Sequence, residues 1–516
     1  MHKSVFKIRK RQLVSINLQK RNENSSRVGG GLDPKLNTTC MSFNEIPGPK
    51  SYRFVGSLHK YLPVIGDYSA EALDKNAWLN WRRYGPLTRE SLQPDLHLLH
   101  VVDPQDIETV FRLEDKLPER RSHVAMKHYR LSKPAVYNTG GLLSTNGTEW
   151  WRLRSTFQKN FTSPKSVKSH ISTTDEIARQ FVKWIRCHNT NPSPDFLPFL
   201  NRFNLEVIGV VAFNERFNCF SAEEQLEASC SSRIIAAAFG SNSGIVKLDK
   251  GFLWKLVKTP LYARLMSSQE CLEKIAEKIL LKNVTFFEKE STDASNVSLL
   301  QSFLRLPSVD LKDITGMMVD ILMASIDTTA YSTSFILYHM ARNPGCQETL
   351  YKEVSNLLPS KESVITNEVL TQAVYARSCI KEALRLNPVS IGVGRVLQKD
   401  IALRGYLVPK GTVIVTQNML ACRLPQFVKD PLRFKPERWM KNSEHHEALH
   451  PFLSLPFGFG PRSCIARRLA EQTMAIALIR IVREFKLSWS GGEMGIKTHL
   501  INKPDQPVRL SLEPRL

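Results

Sequence analysis

Phe457-Gly458-Phe459-Gly460-Pro461-Arg462-Ser463-Cys464, followed by Ile465-Ala466-Arg467-Arg468-Leu469-Ala470-Glu471, is the stretch on which the reading of this chain turns. A glycine-rich loop delivers one thiol to the start of an amphipathic helix. A helix N-terminus carries free N–H groups and partial positive charge, which lower a thiol's pKa and favour the thiolate. A thiolate held in this way is an axial ligand for haem iron. Gly458 and Gly460, beside Phe457, let backbone come close to a flat cofactor where side chains would clash. Arg462 offers a fork of N–H donors for a carboxylate such as a haem propionate. The competing reading of a lone Cys is a small buried hydrophobe.

Length, charge and cysteine usage bound the rest. The chain has 516 residues, enough for a core that encloses a cofactor. Nine cysteines, an odd number with no Cys-x-x-Cys pair, argue against a disulfide framework or a structural zinc site and for a reducing compartment. Residues 1–22 carry seven Lys or Arg and no acid. Such a basic segment with interleaved apolar residues is expected to be a mitochondrial transit peptide, with a Ser-, Gly- and Asn-rich linker reaching residue 45. No apolar run at this end is long enough for a spanning anchor. The chain carries +22, and residues 1–45 account for +6, so residues 46–516 keep +16. A body this basic suits an acidic protein partner or an anionic membrane surface. Without zinc-finger spacing or an RNA-binding aromatic signature, nucleic acid is not expected.

Ile46-Pro47-Gly48-Pro49 marks the start of the folded part, expected to be one domain over 46–516. Most long segments beyond it have helical spacing, with short β-like runs near 97–102 and 401–418. The expected class is therefore mainly α with small β-sheets (α+β). Within 401–418, Pro409-Lys410-Gly411 reads as a hairpin turn. The clearest helix runs from about Asp310 to Asn343 and is apolar nearly all round, as a core helix is. In its middle stands Ala324-Ser325-Ile326-Asp327-Thr328-Thr329. An acid and two hydroxyls on a buried helix are costly without a task, although a mid-helix Thr also arises by back-bonding to a carbonyl one turn earlier.

Phe-x-x-Gly-x-Arg-x-Cys resembles the haem-ligand signature of the cytochrome P450 family, with Ala466 where the family usually has Gly. Three further segments are similar to that family in the same order: Trp150-Trp151-Arg152-Leu153-Arg154, Ala324 to Thr329, and Glu382-Ala383-Leu384-Arg385 with Arg438 of Phe434-Lys435-Pro436-Glu437-Arg438-Trp439. The resemblance covers roughly residues 46–516. It implies the cytochrome P450 fold, with haem b between the long central helix and the Cys464 loop. It implies that Asp327 and Thr328 handle the protons of oxygen activation, with Ser325 in place of a Gly. It also implies that Trp150, Arg154, Arg395 and Arg462 reach the haem propionates, and that Glu382, Arg385 and Arg438 lock the core on the cysteine side.

Arg377 and Lys381, one turn apart, and Arg467-Arg468 resemble the ferredoxin-docking residues of mitochondrial members. That resemblance implies a mitochondrial ferredoxin with its NADPH reductase as electron source, molecular oxygen and a sterol as substrates, and a place on the matrix face of the inner membrane. Ile314-Thr315-Gly316-Met317, Ala466 to Gln472 and Leu500-Ile501-Asn502-Lys503-Pro504 resemble the arthropod ecdysteroid hydroxylases acting at the 22-position. Hydroxylation at the 2- or 20-position, and other mitochondrial steroid or secosteroid hydroxylation, stay open. So do a haem-thiolate isomerase and a non-catalytic haem-binding protein. The expected pocket lining is 113–140, Leu322–Ala324, Val389–Val393 and Leu500–Asn502. The segment 252–258, basic and amphipathic, reads as a membrane-resting helix or an ordinary surface one.

Overall fold

A computed structural model describes residues 40–515, apart from 63, 94–95, 189–190, 252, 288–296 and 308. Most of the segment expected to be a transit peptide and linker therefore lies outside the described residues.

The helix Leu311–Arg342 organises the molecule. Asp310 accepts a hydrogen bond from Lys312 N at 2.8 Å and caps its start. Pro344 stands two residues beyond its end, where a proline cannot continue a helix. At 32 residues it is about 48 Å long. Nearly every side chain from Ile314 to Met340 is buried, which answers its apolar circumference. Helices Leu197–Phe213, Cys230–Ser243 and Pro260–Phe287 pack against it. Val374–Leu386 and Arg467–Glu484 also pack against it and against each other. All of these contribute to one continuous apolar core.

The strands are short. β1 (Leu87–Gln93), β2 (Leu96–Val101), β6 (Val413–Thr416) and β3 (Gly394–Val396) form one sheet in that order. β2 and β6 run parallel, with Leu98 opposite Val413, and the other two pairings are antiparallel. Three two-stranded ribbons complete the set: β4 (Ile401–Leu403) with β5 (Tyr406–Val408), β7 (Phe485–Trp489) with β10 (Leu510–Pro514), and β8 (Ile496–Thr498) with β9 (Asn502–Pro504).

Two expectations are corrected. The hairpin turn in 401–418 is Arg404-Gly405, both with positive φ (50° and 80°), as a two-residue turn demands. Pro409-Lys410-Gly411 instead carries the chain out of that ribbon into β6 of the larger sheet. The segment 252–258 is not a helix lying along the surface. It holds a single 3₁₀ turn, Leu253–Lys255, with Trp254 buried and its Nε1 donating to Leu248 O.

Candidate active site

Residues 455–467 form a tight loop in front of the helix Arg467–Glu484. Cys464 N donates to Phe457 O at 2.8 Å and closes the loop on itself. Gly458 and Gly460 sit at φ +71° and +69°, which only glycine adopts freely. The nearest atom to a Cβ on either would be 3.5 Å or more away. Their conformation, rather than tight packing, demands glycine here. Ala466 lies at φ −96°, open to any L residue, so the family's usual Gly is dispensable at this position.

The Cys464 thiol stands deep within the protein, and burial raises its pKa. A hydrogen bond from Ala466 N and the charge of Arg154 pull the other way without winning. The expectation of a thiol lowered by the helix N-terminus is thus corrected: the helix starts three residues too late, and desolvation dominates. Although deep, the sulfur's own surface is open, so it faces an internal cleft.

Four guanidiniums surround that cleft. Arg462 donates from Nε to Pro118 O and from Nη2 to Thr145 O and Asn146 Oδ1, each at 2.6 Å, and lies 4.2 Å from the Trp150 ring centre. Its Nη1 is buried without a partner. Burial, and after it the charges of Arg120 and Arg395, press its pKa down to about 9. Arg120 donates twice to Leu143 O and is pressed down to about 10, burial first and Arg395 second. Arg395 is buried, pairs with Glu114 and donates from Nη2 to Phe459 O at 3.0 Å. Arg154 donates to Ser463 O at 3.0 Å, directly behind the cysteine. Arg120 escaped the sequence reading because a lone arginine in Pro118-Glu119-Arg120-Arg121 has no spacing to mark it.

On the central helix, Asp327 is 2% exposed and its Oδ2 has no hydrogen-bond partner. Burial pushes its pKa up to about 7, with Asn242 and Lys503 pulling it back. The Thr328 hydroxyl donates to Ala324 O at 2.6 Å, and Ser325 Oγ donates to Ile321 O at 2.7 Å. Both protons point back along the helix, so the Ser325 hydroxyl is engaged within its own backbone. Around them, Leu322 and Met323 are buried, and Val389, Ile391, Leu500 and Ile501 are half-buried.

The Glu382 carboxylate is fully buried, not on a solvated face. It accepts from Arg385 Nε and Nη2, Arg438 Nε and Trp439 Nε1, all at 2.9 Å, and from Lys435 N at 3.0 Å. Arg385 Nη1 reaches on to Cys422 O and Pro431 O. Gly392, read from sequence as part of a flexible stretch, is packed hard instead: a Cβ there would stand 1.6 Å from Thr416 O. On the exterior, Lys381 is exposed beside Trp439, while Arg377 is half-buried and donates from Nη1 to Thr371 O at 2.8 Å. Arg467 and Arg468 are exposed at the start of their helix, Arg467 paired with Glu471 at 3.0 Å.

The family model for cytochrome P450 matches residues 46–511. The chain belongs to the cytochrome P450 family. It is similar to cytochrome P450 302a1, mitochondrial, of Drosophila melanogaster, at 43% identity over 93% of this chain and 96% of that protein. It is also similar to probable cytochrome P450 49a1 (30% identity, 92% and 83%) and probable cytochrome P450 301a1, mitochondrial (28%, 93% and 89%), of the same organism. Membership makes this cytochrome P450 a monooxygenase with a haem held by a cysteine thiolate. The residues present fit that group. Four buried cations with a donor left over call for an anionic ligand, which the haem carboxylates supply. The one thiol on the loop facing the cleft supplies the ligand atom.

Proposed function

We propose that this cytochrome P450 is a mitochondrial steroid hydroxylase that oxidises the side chain of an ecdysteroid precursor at the 22-position. The observation that carries the steroid reading is the set of strings resembling the ecdysteroid hydroxylases: 314–317 on the central helix, 466–472 beside the cysteine loop and 500–504 at the β8–β9 turn. Apolar residues at Leu322, Met323, Val389, Ile391 and Leu500 suit a sterol.

Haem, when bound, supplies the activation of dioxygen that puts one oxygen atom into a C–H bond. Cys464 is the ligand, and its thiolate forms when the metal displaces the proton that burial retains. Arg462, Arg395 and Arg120 hold the carboxylates of the cofactor, with Trp150 stacked beneath Arg462. Arg154 fixes the Ser463 carbonyl and so the cysteine loop. Glu382, Arg385 and Arg438 hold the segment 422–439 against the helix that leads to the docking surface. Asp327 takes protons from the solvent side and passes them on, and Thr328 turns its hydroxyl from Ala324 O toward the reacting oxygen. Arg377, Lys381, Arg467 and Arg468 form the surface for an acidic ferredoxin, fed by its NADPH reductase.

We also propose that the protein rests on the matrix face of the inner membrane. Phe54, Val55, Ile65, Leu253, Leu256 and Val257 are exposed, with Lys50, Arg53, Lys255 and Lys258 among them. No helix among the described residues is long and apolar enough to cross a membrane.

The test is turnover of an ecdysteroid precursor lacking the 22-hydroxyl, with ferredoxin, reductase and NADPH. Product oxygenated at carbon 22 supports the reading. Oxygenation at carbon 2 or 20 replaces it with a sister activity, and turnover without any electron donor would mean an isomerase.

A further inference from the structure

We propose that protons enter from solvent at the β8–β9 turn, with Lys503 the positioning residue for the Asp327 carboxyl and His499 the outer relay; this rests on the reading of Asp327 as the proton-handling group. A monooxygenase converts RH, dioxygen, two protons and two electrons into ROH and water, the electrons here coming from the ferredoxin. A fully buried acid on a central helix therefore needs a polar path to the exterior.

The structure has one. Asn242, on the helix Cys230–Ser243, donates from Nδ2 to Met323 O at 3.0 Å, one turn before Asp327. Phe239, one turn earlier on that helix, carries Lys503 Nζ at 5.1 Å from its ring centre and the His499 ring at 6.1 Å, edge to face. One helix face thus links the carboxyl's surroundings to the β8–β9 turn, and β9 itself packs on the central helix. Lys503 and His499 are both half-buried, at the boundary between that interior and water. Outside them lie Glu71 and Lys247, paired at 2.9 Å, and Thr498 N donates to Glu71 O at 2.7 Å.

The charged and titratable groups around Asp327 are few. Lys503 comes from β9, and Tyr331 lies one turn on along its own helix. Arg264, from the helix Pro260–Phe287, faces Phe239 at 5.7 Å. Lys503 is the cation that acts on the carboxyl directly, favouring its anion against the burial that disfavours it. When Asp327 gives up its proton, the charge left on the carboxylate forms beside that ammonium. A proton from water then returns through the His499 imidazole.

The experiment uses the full haem-loaded chain with ferredoxin and reductase. It compares Lys503→Arg, Lys503→Met and Lys503→Glu for the pH dependence of kcat and for product formed per NADPH. Losing the cation should move the inflection up by about one pH unit in Lys503→Met and further in Lys503→Glu, with Lys503→Arg like the parent. His499→Gln should raise the solvent isotope effect on kcat. The carbon monoxide band checks that each variant holds its haem, and Lys503→Met alone suffices if Lys503→Glu does not fold. One inflection shared by all three Lys503 variants would overturn the proposal. Asp327→Asn separates the two failures. If it abolishes the inflection while the lysine series is flat, only the entrance is wrong. If it leaves the inflection intact, Asp327 is not the proton group and both readings fall.

Discussion

Cys464 and Asp327 are two buried acids whose burial points to opposite uses. Desolvation keeps the free Cys464 thiol protonated, so the thiolate depends on the metal rather than on the helix behind it. Cys464→Ser should therefore lose the red-shifted carbon monoxide band of the reduced protein while keeping the arginine cradle, and a band that survives would place the ligand elsewhere. For Asp327 the sign is worked from a folded pKa near 7 against an ordinary carboxylate near 4. The folded protein binds more protons than the unfolded chain between those values, so this group costs stability as pH rises from about 4 to 7. Fully ionised, it costs on the order of 4 kcal/mol. Asp327→Asn should leave denaturant stability unchanged near pH 4 and raise it at pH 8, by less than that figure if the site relaxes. Equal stability of the two proteins at pH 8 would mean the carboxyl is solvated. Thr328→Ala should keep haem and divert electrons to peroxide several-fold, because the hydroxyl seen on Ala324 O is no longer there to turn. Unchanged product per NADPH would leave Thr328 as a helix residue only.

Between residues and fold stand the elements, and here legibility divides. The central helix was plain in the sequence because its apolar circumference and the Asp310 and Pro344 punctuation are local. Glu382-x-x-Arg385 was visible as a spacing, but a spacing is the same on a wet face and a dry one. Burial was supplied by Trp439, Lys435 and Arg438, which arrive from more than fifty residues away. The hairpin at 401–408 was misplaced because Pro-Lys-Gly is the stronger turn signal in composition, whereas register follows the two positive-φ residues Arg404 and Gly405. Arg120, Asn242 and Lys503 had no motif at all, since only packing brings them to the site. With its position in the dry network known, Glu382→Leu should cost about 3–5 kcal/mol by stranding Arg385 and Arg438, and the purified protein should hold little haem. Retention of full haem content would make the network dispensable. On the same helix, Lys381 points outward. Lys381→Glu should raise the ferredoxin KM about tenfold at low salt and leave substrate-induced spectra unchanged. An unaltered KM at low salt would put the docking surface elsewhere.

At the scale of the whole molecule, the +16 of the folded part has two uses on different surfaces, and only one is met by ferredoxin. Lys250 Nζ stands 4.3 Å from the Tyr61 ring centre, and Gln93 Nε2 donates to Lys250 O at 2.6 Å. These contacts bring the segment 52–65 against 245–257, so their exposed apolar side chains share one face. Phe54 is 83% exposed, Ile65 77% and Leu256 74%. Single exposed apolar residues need no explanation, but a cluster with interleaved cations has the composition of a surface that rests on anionic lipid. The haem-loaded protein should therefore sediment with vesicles containing an anionic lipid and much less with neutral ones. Raising salt should weaken the binding without abolishing it, since the apolar share is not screened. Ile65→Glu with Leu256→Glu removes two apolar contacts and adds like charge to the lipid. That pair should lower vesicle partitioning about tenfold or more while kcat on detergent-dispersed substrate stays at the parent value. The KM for substrate presented in vesicles should rise with it if substrate arrives through this face. Binding that salt abolishes, or that the double variant does not change, would reduce the surface to a generic basic one.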